Sequence, residues 1–394
     1  MTHSCSLAAR CAGGLHRLLA ALLACLGLAQ MSWTAQAQAT APPAGEPALF
    51  PIRQGDRFGL VDAQGQVLLP IEYDEVAPGD PLWRVRKGAR TGYVDGAGRL
   101  AVPPQEAWTQ PFREGLVPAP QPVQQEGRGS SWRWGYARPD GSFAIAARFD
   151  EAGPFTGGLA VVAVADAWGE RRYGAINRQG EWVLPAVHER LLPTGGGLVR
   201  SETRQRQHRV FDARGRDITP PGVDFVGVPS EGFVRVWAGR KQGFMRLDGT
   251  LCVAPTYEQA GDMHEGLARV WVDGHWGYVD ATGAMRVPPR YEAAEDFADG
   301  LALVRLQGRP LFIDTRGRTA FEPPGERAAS FSQGLAAVMK DRLWGYVDTR
   351  GQWVIAPQFR VARPFQRGLA YVGFGRESGY VRADGQVVWR GPTF

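Results

Sequence analysis

Cysteine is scarce in this chain: there are four, and three of them, Cys5, Cys11 and Cys25, stand within the first 25 residues. If that leading segment is removed, Cys252 is left alone, which excludes an intramolecular disulfide and a cysteine-built metal site even in an oxidising compartment. Cys252 follows a turn glycine by three residues and reads as a small packed strand residue. Long apolar runs are also missing. The longest, Leu18 to Leu28, has eleven residues, whereas a spanning helix needs about 20. Charge of one sign is not dominant either: the formal net charge is +5, and it falls to +3 without Arg10 and Arg17. So mild an excess argues against a nucleic-acid partner.

Chemistry-bearing motifs are absent as well. There is no Gly-x-Ser-x-Gly elbow, no phosphate-cradling glycine loop, no dinucleotide fingerprint and no His-Glu-x-x-His run. His188, His208, His264 and His275 lack metal-ligand spacing and read as surface turn positions. No cofactor, metal or catalytic residue is assigned. The acidic pairs Asp74/Glu75, Asp150/Glu151 and Glu295/Asp296 recur near one repeat position, which fits a solvated turn better than the single facing pair of a glycosidase.

What the chain does have is repetition. Turn glycines fall at Gly65, Gly98, Gly141, Gly180, Gly215, Gly249, Gly283, Gly317, Gly351 and Gly385, and the last six are each 34 residues apart. In the clearest copy, Trp276-Gly277-Tyr278-Val279 is a strand, Asp280-Ala281-Thr282-Gly283 a tight turn, and Ala284 to Val287 a second strand stopped by Pro288-Pro289. Phe297 and the turn Ala298-Asp299-Gly300 then lead into a third strand, Leu301 to Leu306. Apolar residues two and four after the glycines, such as Val67/Leu69, Met285/Val287 and Trp353/Ile355, alternate as a half-buried strand requires. The fifth copy, with Asp217 and Thr219, breaks this alternation. A period of this size marks units that bury their apolar faces only by stacking on neighbours.

The expected fold is therefore all-β, with about ten three-stranded antiparallel meanders stacked as an open superhelix or solenoid. The final copy, Gly379 to Phe394, lacks its third strand and is expected to cap the array. Closure into a β-propeller is the alternative. Propellers commonly use four strands per blade, and the Tyr-Glu stretch at 291–297 is where a short fourth strand would form.

The Trp-Gly pairs at 134–135, 276–277 and 344–345, the Gly-Tyr-Val-Asp runs at 92–95, 277–280 and 345–348, and the Phe-x-x-Gly-Leu runs at 155–159, 297–301, 331–335 and 365–369 resemble the WG-repeat (KWG) family. The resemblance covers the chain from about Phe58 to its end. It implies a bacterial tandem-repeat protein, often exported, with no catalytic residues to carry over. Copies five and eight depart from it, with Arg209-Val210 and Leu311-Phe312 in place of Trp-Gly, and read as structural spacers. Arg138, Asn177, Arg246 and Arg382 stand where the family has Asp. The β-hairpin cell-wall-binding repeats are similar only at the level of fold.

Residues 1–39 carry Arg10 and Arg17, no acid, the apolar run and then Ala35-Gln36-Ala37-Gln38-Ala39. That is the order of a secretory signal peptide, with cleavage after Ala37 or Ala39. A lipoprotein signal at Leu22-Leu23-Ala24-Cys25, with a lipid anchor on Cys25, is the runner-up. Residues 40–51 form a Pro/Ala linker, and the array fills 52–394. The expected location is periplasmic or extracellular, with a membrane-anchored lipoprotein as the alternative.

Loop length singles out a candidate surface. The Gly-Leu glycine usually precedes the next Trp-Gly position by eleven residues, but the separation is twenty from Gly115 to Gly135 and sixteen from Gly158 to Gly174. These longer loops bring Trp132, Arg133, Trp168, Arg171 and Arg172 to one equivalent place, and per-repeat insertions map to one face. The same tips elsewhere are basic: Arg86, Lys87 and Arg90; Arg204, Arg206 and Arg209; Arg240 and Lys241; Lys340 and Arg342. Such a row would hold an acidic glycan, peptide or lipid headgroup with tryptophans for stacking, although charged tips also protect sheet edges. The Asp of Gly-Tyr-Val-Asp (Asp95, Asp280, Asp348) is expected to cap its turn and not to bind calcium. The function expected is an exported non-catalytic scaffold for an envelope component or protein partner. The alternative is a glycan-acting enzyme with its site at the long loops of copies three and four.

Overall fold

A computed structural model describes residues 48–392, apart from 107, 109, 126–128, 167 and 206. The signal-peptide segment 1–39, Cys25 and linker residues 40–47 lie outside the described residues. Of the remaining linker residues, Leu49 and Phe50 are buried.

Ten small antiparallel sheets follow one another in chain order, over residues 50–73, 75–105, 117–149, 151–188, 191–211, 225–257, 259–291, 293–321, 327–359 and 361–392. They are called blades one to ten here. The described residues contain no helix. Seven blades have four strands and three have three, each paired in sequence order. Blade seven runs Gln259–Ala260, Leu267–Val272, His275–Asp280 and Met285–Tyr291. The strand beyond the three expected is this short leading one. In blade eight it is Ala293–Ala294, within the stretch that the sequence marked for a fourth strand. Blade five keeps three strands because Asp217 and Thr219 offer no apolar face, and its fourth strand shrinks to the single bridge Phe211↔Asp217.

The Trp-Gly glycine answers to a close approach. A Cβ on Gly277 would meet the Val287 carbonyl oxygen at 2.6 Å, and one on Gly92 would meet that of Val102 at 3.0 Å. The facing strand bulges at this point, where the register jumps from Tyr278↔Val287 to Trp276↔Tyr291. Pro288 and Pro289 fall in the extra residues of that bulge, where no ladder hydrogen bond is needed. They therefore do not stop the strand, contrary to expectation, and it continues to Tyr291, which is buried.

The core lies between blades. Tyr278, Val287 and Tyr291 of blade seven pack with Phe297, Val304 and Ile313 of blade eight, and equivalent clusters join every other consecutive pair. A further cluster joins the ends: Phe50, Ile52 and Val61 of blade one with Leu369 and Tyr380 of blade ten. Ten blades in an open array would have two terminal apolar faces in water, and here those two faces bury each other. The open superhelix expected from the sequence is thus replaced by a closed ring, the ten-bladed propeller of the alternative. The final copy is no cap. It contributes a complete four-stranded blade ending in Val387–Pro392.

A repeated hydrogen bond traces the closure. The hydroxyls of Tyr93, Tyr136, Tyr278 and Tyr346 donate to the carbonyl oxygens of Gln110, Gly153, Glu295 and Arg363, each 17 residues ahead, at 2.6 to 2.8 Å. The hydroxyl of Tyr380 instead donates to the Pro51 carbonyl at 2.8 Å. Arg382 adds a contact to the Ala63 carbonyl at 3.2 Å.

Removing one such hydroxyl forfeits about 1 kcal/mol. Tyr380→Phe is expected to lower stability in urea unfolding as much as Tyr278→Phe does within the ring. In an open array the Tyr380 change would be silent.

Candidate binding face

In an antiparallel meander, alternate connections lie at opposite ends. The hairpins between second and third strands therefore share one end of the ring with the links between blades. The turns between first and second strands, and the Asp-Gly turns between third and fourth, share the other.

The long-loop residues stand at the hairpin end on two consecutive blades. In blade three the hairpin strands extend to Val117–Gln125 and Gly129–Ala137, placing Trp132 opposite Pro122 and Arg133 opposite Gln121. In blade four the turn from Asp166 to Glu170 is held by the Asp166 carboxylate, which accepts the N–H groups of Trp168 and Glu170 at 2.9 Å. Trp168 is 89% exposed and Trp132 64%, whereas Trp83 and Trp108 are buried.

The arginines behave differently from the tryptophans. Arg133 pairs with Asp150, which also accepts the Ala165 N–H of the next blade at 2.8 Å. Arg171 lies 3.4 Å from Glu151 and Arg172 3.2 Å from Asp166. The pattern recurs along the basic row. Lys87 pairs with Glu72 at 3.1 Å, Arg204 with Glu189 at 3.6 Å and Lys241 with Glu258 at 3.6 Å, while Glu75 takes both Arg84 and Arg86. The acidic pairs Asp74/Glu75 and Asp150/Glu151, read from sequence as solvated turns, are counter-charges to these tips. Asp74 bridges Arg57 of blade one and the Gly88 N–H of blade two.

Beside Trp168 a polar cleft of about 480 Å³ opens between blades four and five, lined by Glu170, Arg171, Arg172, Glu189, Arg190, Glu202, Thr203 and Arg204. Two of its three carboxylates are tied to arginines, Glu202 to Arg190 at 3.2 Å and Glu189 to Arg204. The cleft holds four arginines against three glutamates, so it favours a hydrogen-bonding, mildly anionic ligand over an apolar one.

At the opposite end the Asp turns are capped from within. Asp95, Asp280 and Asp348 each accept two backbone N–H groups at 2.8 to 3.0 Å. No group of three or more His, Cys, Asp or Glu among the described residues is placed to hold a metal ion. Where Arg138, Arg246 and Arg382 replace the Asp, a second one two residues later takes over the cap. Asp140, Asp248 and Asp384 accept the N–H groups of Ser142, Thr250 and Gln386.

A second ladder at this end escaped sequence reading. Glu231 accepts the Gly266 N–H at 3.1 Å, Glu265 that of Gly300 at 2.9 Å, Asp299 that of Gly334 at 2.8 Å and Gln333 that of Gly368 at 2.9 Å. Each acceptor has a φ near +50°, a left-handed turn position that a side chain tolerates at some cost. The inter-blade hydrogen bond offsets that cost. The signal was the recurrent acceptor residue before Gly-Leu.

Ten three- or four-stranded antiparallel blades closed by burying the first against the last define a β-propeller repeat protein. The family model described as WG containing repeat matches residues 58–78, 134–168, 173–193, 243–274, 276–309, 312–344 and 344–375, which is more than half of the chain, and the chain belongs to that family. No curated protein matches it. Among solved structures it is similar to a eukaryotic initiation factor, at 11% identity over 88% of this chain and 96% of that one, with a TM-score of 0.48. It is also similar to Hsv2 of Kluyveromyces lactis, at 10% identity over 60% and 95%, with a TM-score of 0.31. No helix among the described residues is long and apolar enough to cross a membrane.

Asp280 supplies a pH test of the turns. Burial alone would raise its carboxyl, but the Thr282 hydroxyl and N–H, the Ala284 N–H and the Arg286 guanidinium outweigh it and bring the pKa from 3.8 to about 2. A carboxyl lowered in the folded state is protonated first in the unfolded chain, so its contribution is present above about pH 4 and lost as pH falls towards 2. Thermal unfolding at pH 6 and pH 2.5 is expected to show a larger acid-induced drop for the wild type than for Asp280→Asn. The amide can cap this turn, as Asn177 does through the N–H groups of Gln179 and Glu181.

Proposed function

We propose that this propeller is an exported, non-catalytic binding scaffold that engages an envelope component or a protein partner through its hairpin end. The observation that carries this reading is the pair of solvent-exposed tryptophans, Trp132 and Trp168, at the hairpin tips of consecutive blades. Exposed indoles contribute nothing to the core, and they are the side chains that stack on a sugar ring or an apolar residue of a partner. Arg133, Arg171 and Arg172, already paired, act as a positioned polar rim: their remaining N–H groups serve a ligand without bringing a bare charge to the surface. The ligand class is thus a neutral to mildly acidic glycan or peptide. Glycoside hydrolysis needs an acid and a base facing one another across a bond, and two of the three glutamates of the cleft, Glu189 and Glu202, are bonded to arginines instead.

Trp132→Ala/Trp168→Ala is expected to weaken capture from the envelope fraction of the native host at least about tenfold and to leave the unfolding transition in place. Unchanged capture would move the site off this face. Export is tested by the intact mass of the mature protein. A chain beginning at Gln38 or Thr40 is expected, and an acylated chain beginning at Cys25 would make it a tethered lipoprotein instead.

A further inference from the structure

The ring is irregular at its seam. In the other interfaces that begin with a tyrosine, the next blade sets a phenylalanine on that ring: Phe112 on Tyr93 and Phe155 on Tyr136, both with centroids 4.8 Å apart, Phe297 on Tyr278 at 4.7 Å and Phe365 on Tyr346 at 4.9 Å. That phenylalanine stands four residues before the leucine that opens the second strand. Blade one has its equivalent leucine at Leu49, and four residues before it is Gly45. The sheet of blade one also has no leading strand among the described residues.

An open cleft of about 550 Å³ lies at this place, walled by Phe50, Trp83, Tyr371 and Tyr380, with Arg363 and Arg367 among its lining. Its size is that of a ligand site. Phe50 leans on Tyr380 with centroids 5.4 Å apart, but it belongs to the wall and does not fill the space. The arginines stand out against the rest of the ring. Arg367 holds the turn position that Glu231, Glu265, Asp299 and Gln333 hold elsewhere, and Arg363 stands where blade eight has Glu295. Both are exposed, and neither side chain has a hydrogen-bond or ion-pair partner among the described residues.

We propose that the seam cleft is a peptide-binding site. It takes an extended segment of a partner protein that sets an aromatic side chain against Tyr380 and flanking carboxylates on Arg363 and Arg367. The site is separate from the hairpin end, because Arg363 and Arg367 belong to the turn between first and second strands. The chain contains one segment of the required chemistry, at the interface between blades seven and eight. In residues 292–301, EAAEDFADGL, one phenylalanine is flanked by carboxylates and already packs on a tyrosine.

The test is a fluorescein-labelled peptide of that sequence, titrated into the full chain and followed by anisotropy. Saturable binding is expected, weakened at least about tenfold by replacing the peptide's phenylalanine with alanine. It should weaken similarly when its Asp and Glu residues become amides, and again for the protein variant Arg363→Glu/Arg367→Glu. Trp132→Ala/Trp168→Ala should bind the peptide as the wild type does, which separates this site from the hairpin end. The peptide variants keep the result readable if the protein variant does not fold. Absence of saturable binding, or indifference to the phenylalanine or to the charges, overturns the proposal. So does a chain dimer that the peptide disperses, which would give the cleft to a second copy. Binding only after proteolysis to Gly45 would give it to the chain's own leading segment and overturn the proposal as well.

Discussion

A single blade of this protein cannot bury its own faces, and the contact that solves this is made largely by one tyrosine. Tyr278 is fully buried, its ring meets Phe297 of the next blade, and its hydroxyl donates to the Glu295 carbonyl there. Apolar burial, ring geometry and a satisfied polar group are thus joined in one side chain. The neighbouring glycine is required because the bulged fourth strand comes within 2.6 Å of where its Cβ would stand. The Gly-Tyr pair records two constraints, close approach within a blade and anchoring between blades. The period of 34 in the later copies follows from holding both in register around the ring.

Much of this could be read from the chain. The turn glycines located the blades, the alternating residues after them located the fourth strands, and the defect at Asp217 and Thr219 located the blade that lacks one. The leading two-residue strands were harder to see, because Ala293–Ala294 has neither alternation nor β-branched residues and is held by its neighbours. Closure was not legible. It depends on the accumulated rotation between blades, which no local pattern encodes, and on Tyr380 meeting Pro51 across more than 300 residues of sequence. Prolines were misread for a related reason: Pro288 and Pro289 prevent ladder bonds, but a bulge is a place where none are made.

The candidate face was legible as a set of residues and not as electrostatics. Loop length brought Trp132 and Trp168 to one end, and their exposure fits that reading. The basic row, counted from sequence, looked like an uncompensated cationic edge. In the fold, acids of the inter-blade links come to the tips, as Asp150 does to Arg133 and Glu258 to Lys241. Surface pairs of this kind add little stability. At the tips where they form, they offset the cation's charge, so that recognition there draws on aromatic contact and oriented hydrogen bonds.

A ring built by a chain with two ends must differ from perfect repetition somewhere, and the difference concentrates where the ends meet. At the regular interfaces that begin with a tyrosine, the next blade sets a phenylalanine on that ring, and at the turns of blades six to nine a side chain accepts a hydrogen bond from the blade that follows. At the seam the acceptor lapses, because Arg367 stands at that turn position. A merely imperfect closure would leave an apolar gap, which packing tends to fill. Here the gap is rimmed by the guanidinium groups of Arg363 and Arg367, unpaired among the described residues, whose charge makes collapse costly and which match the carboxylates that flank Phe297 at the interface between blades seven and eight. The chemistry of the vacancy is therefore the complement of the segment that the repeat places at a regular joint.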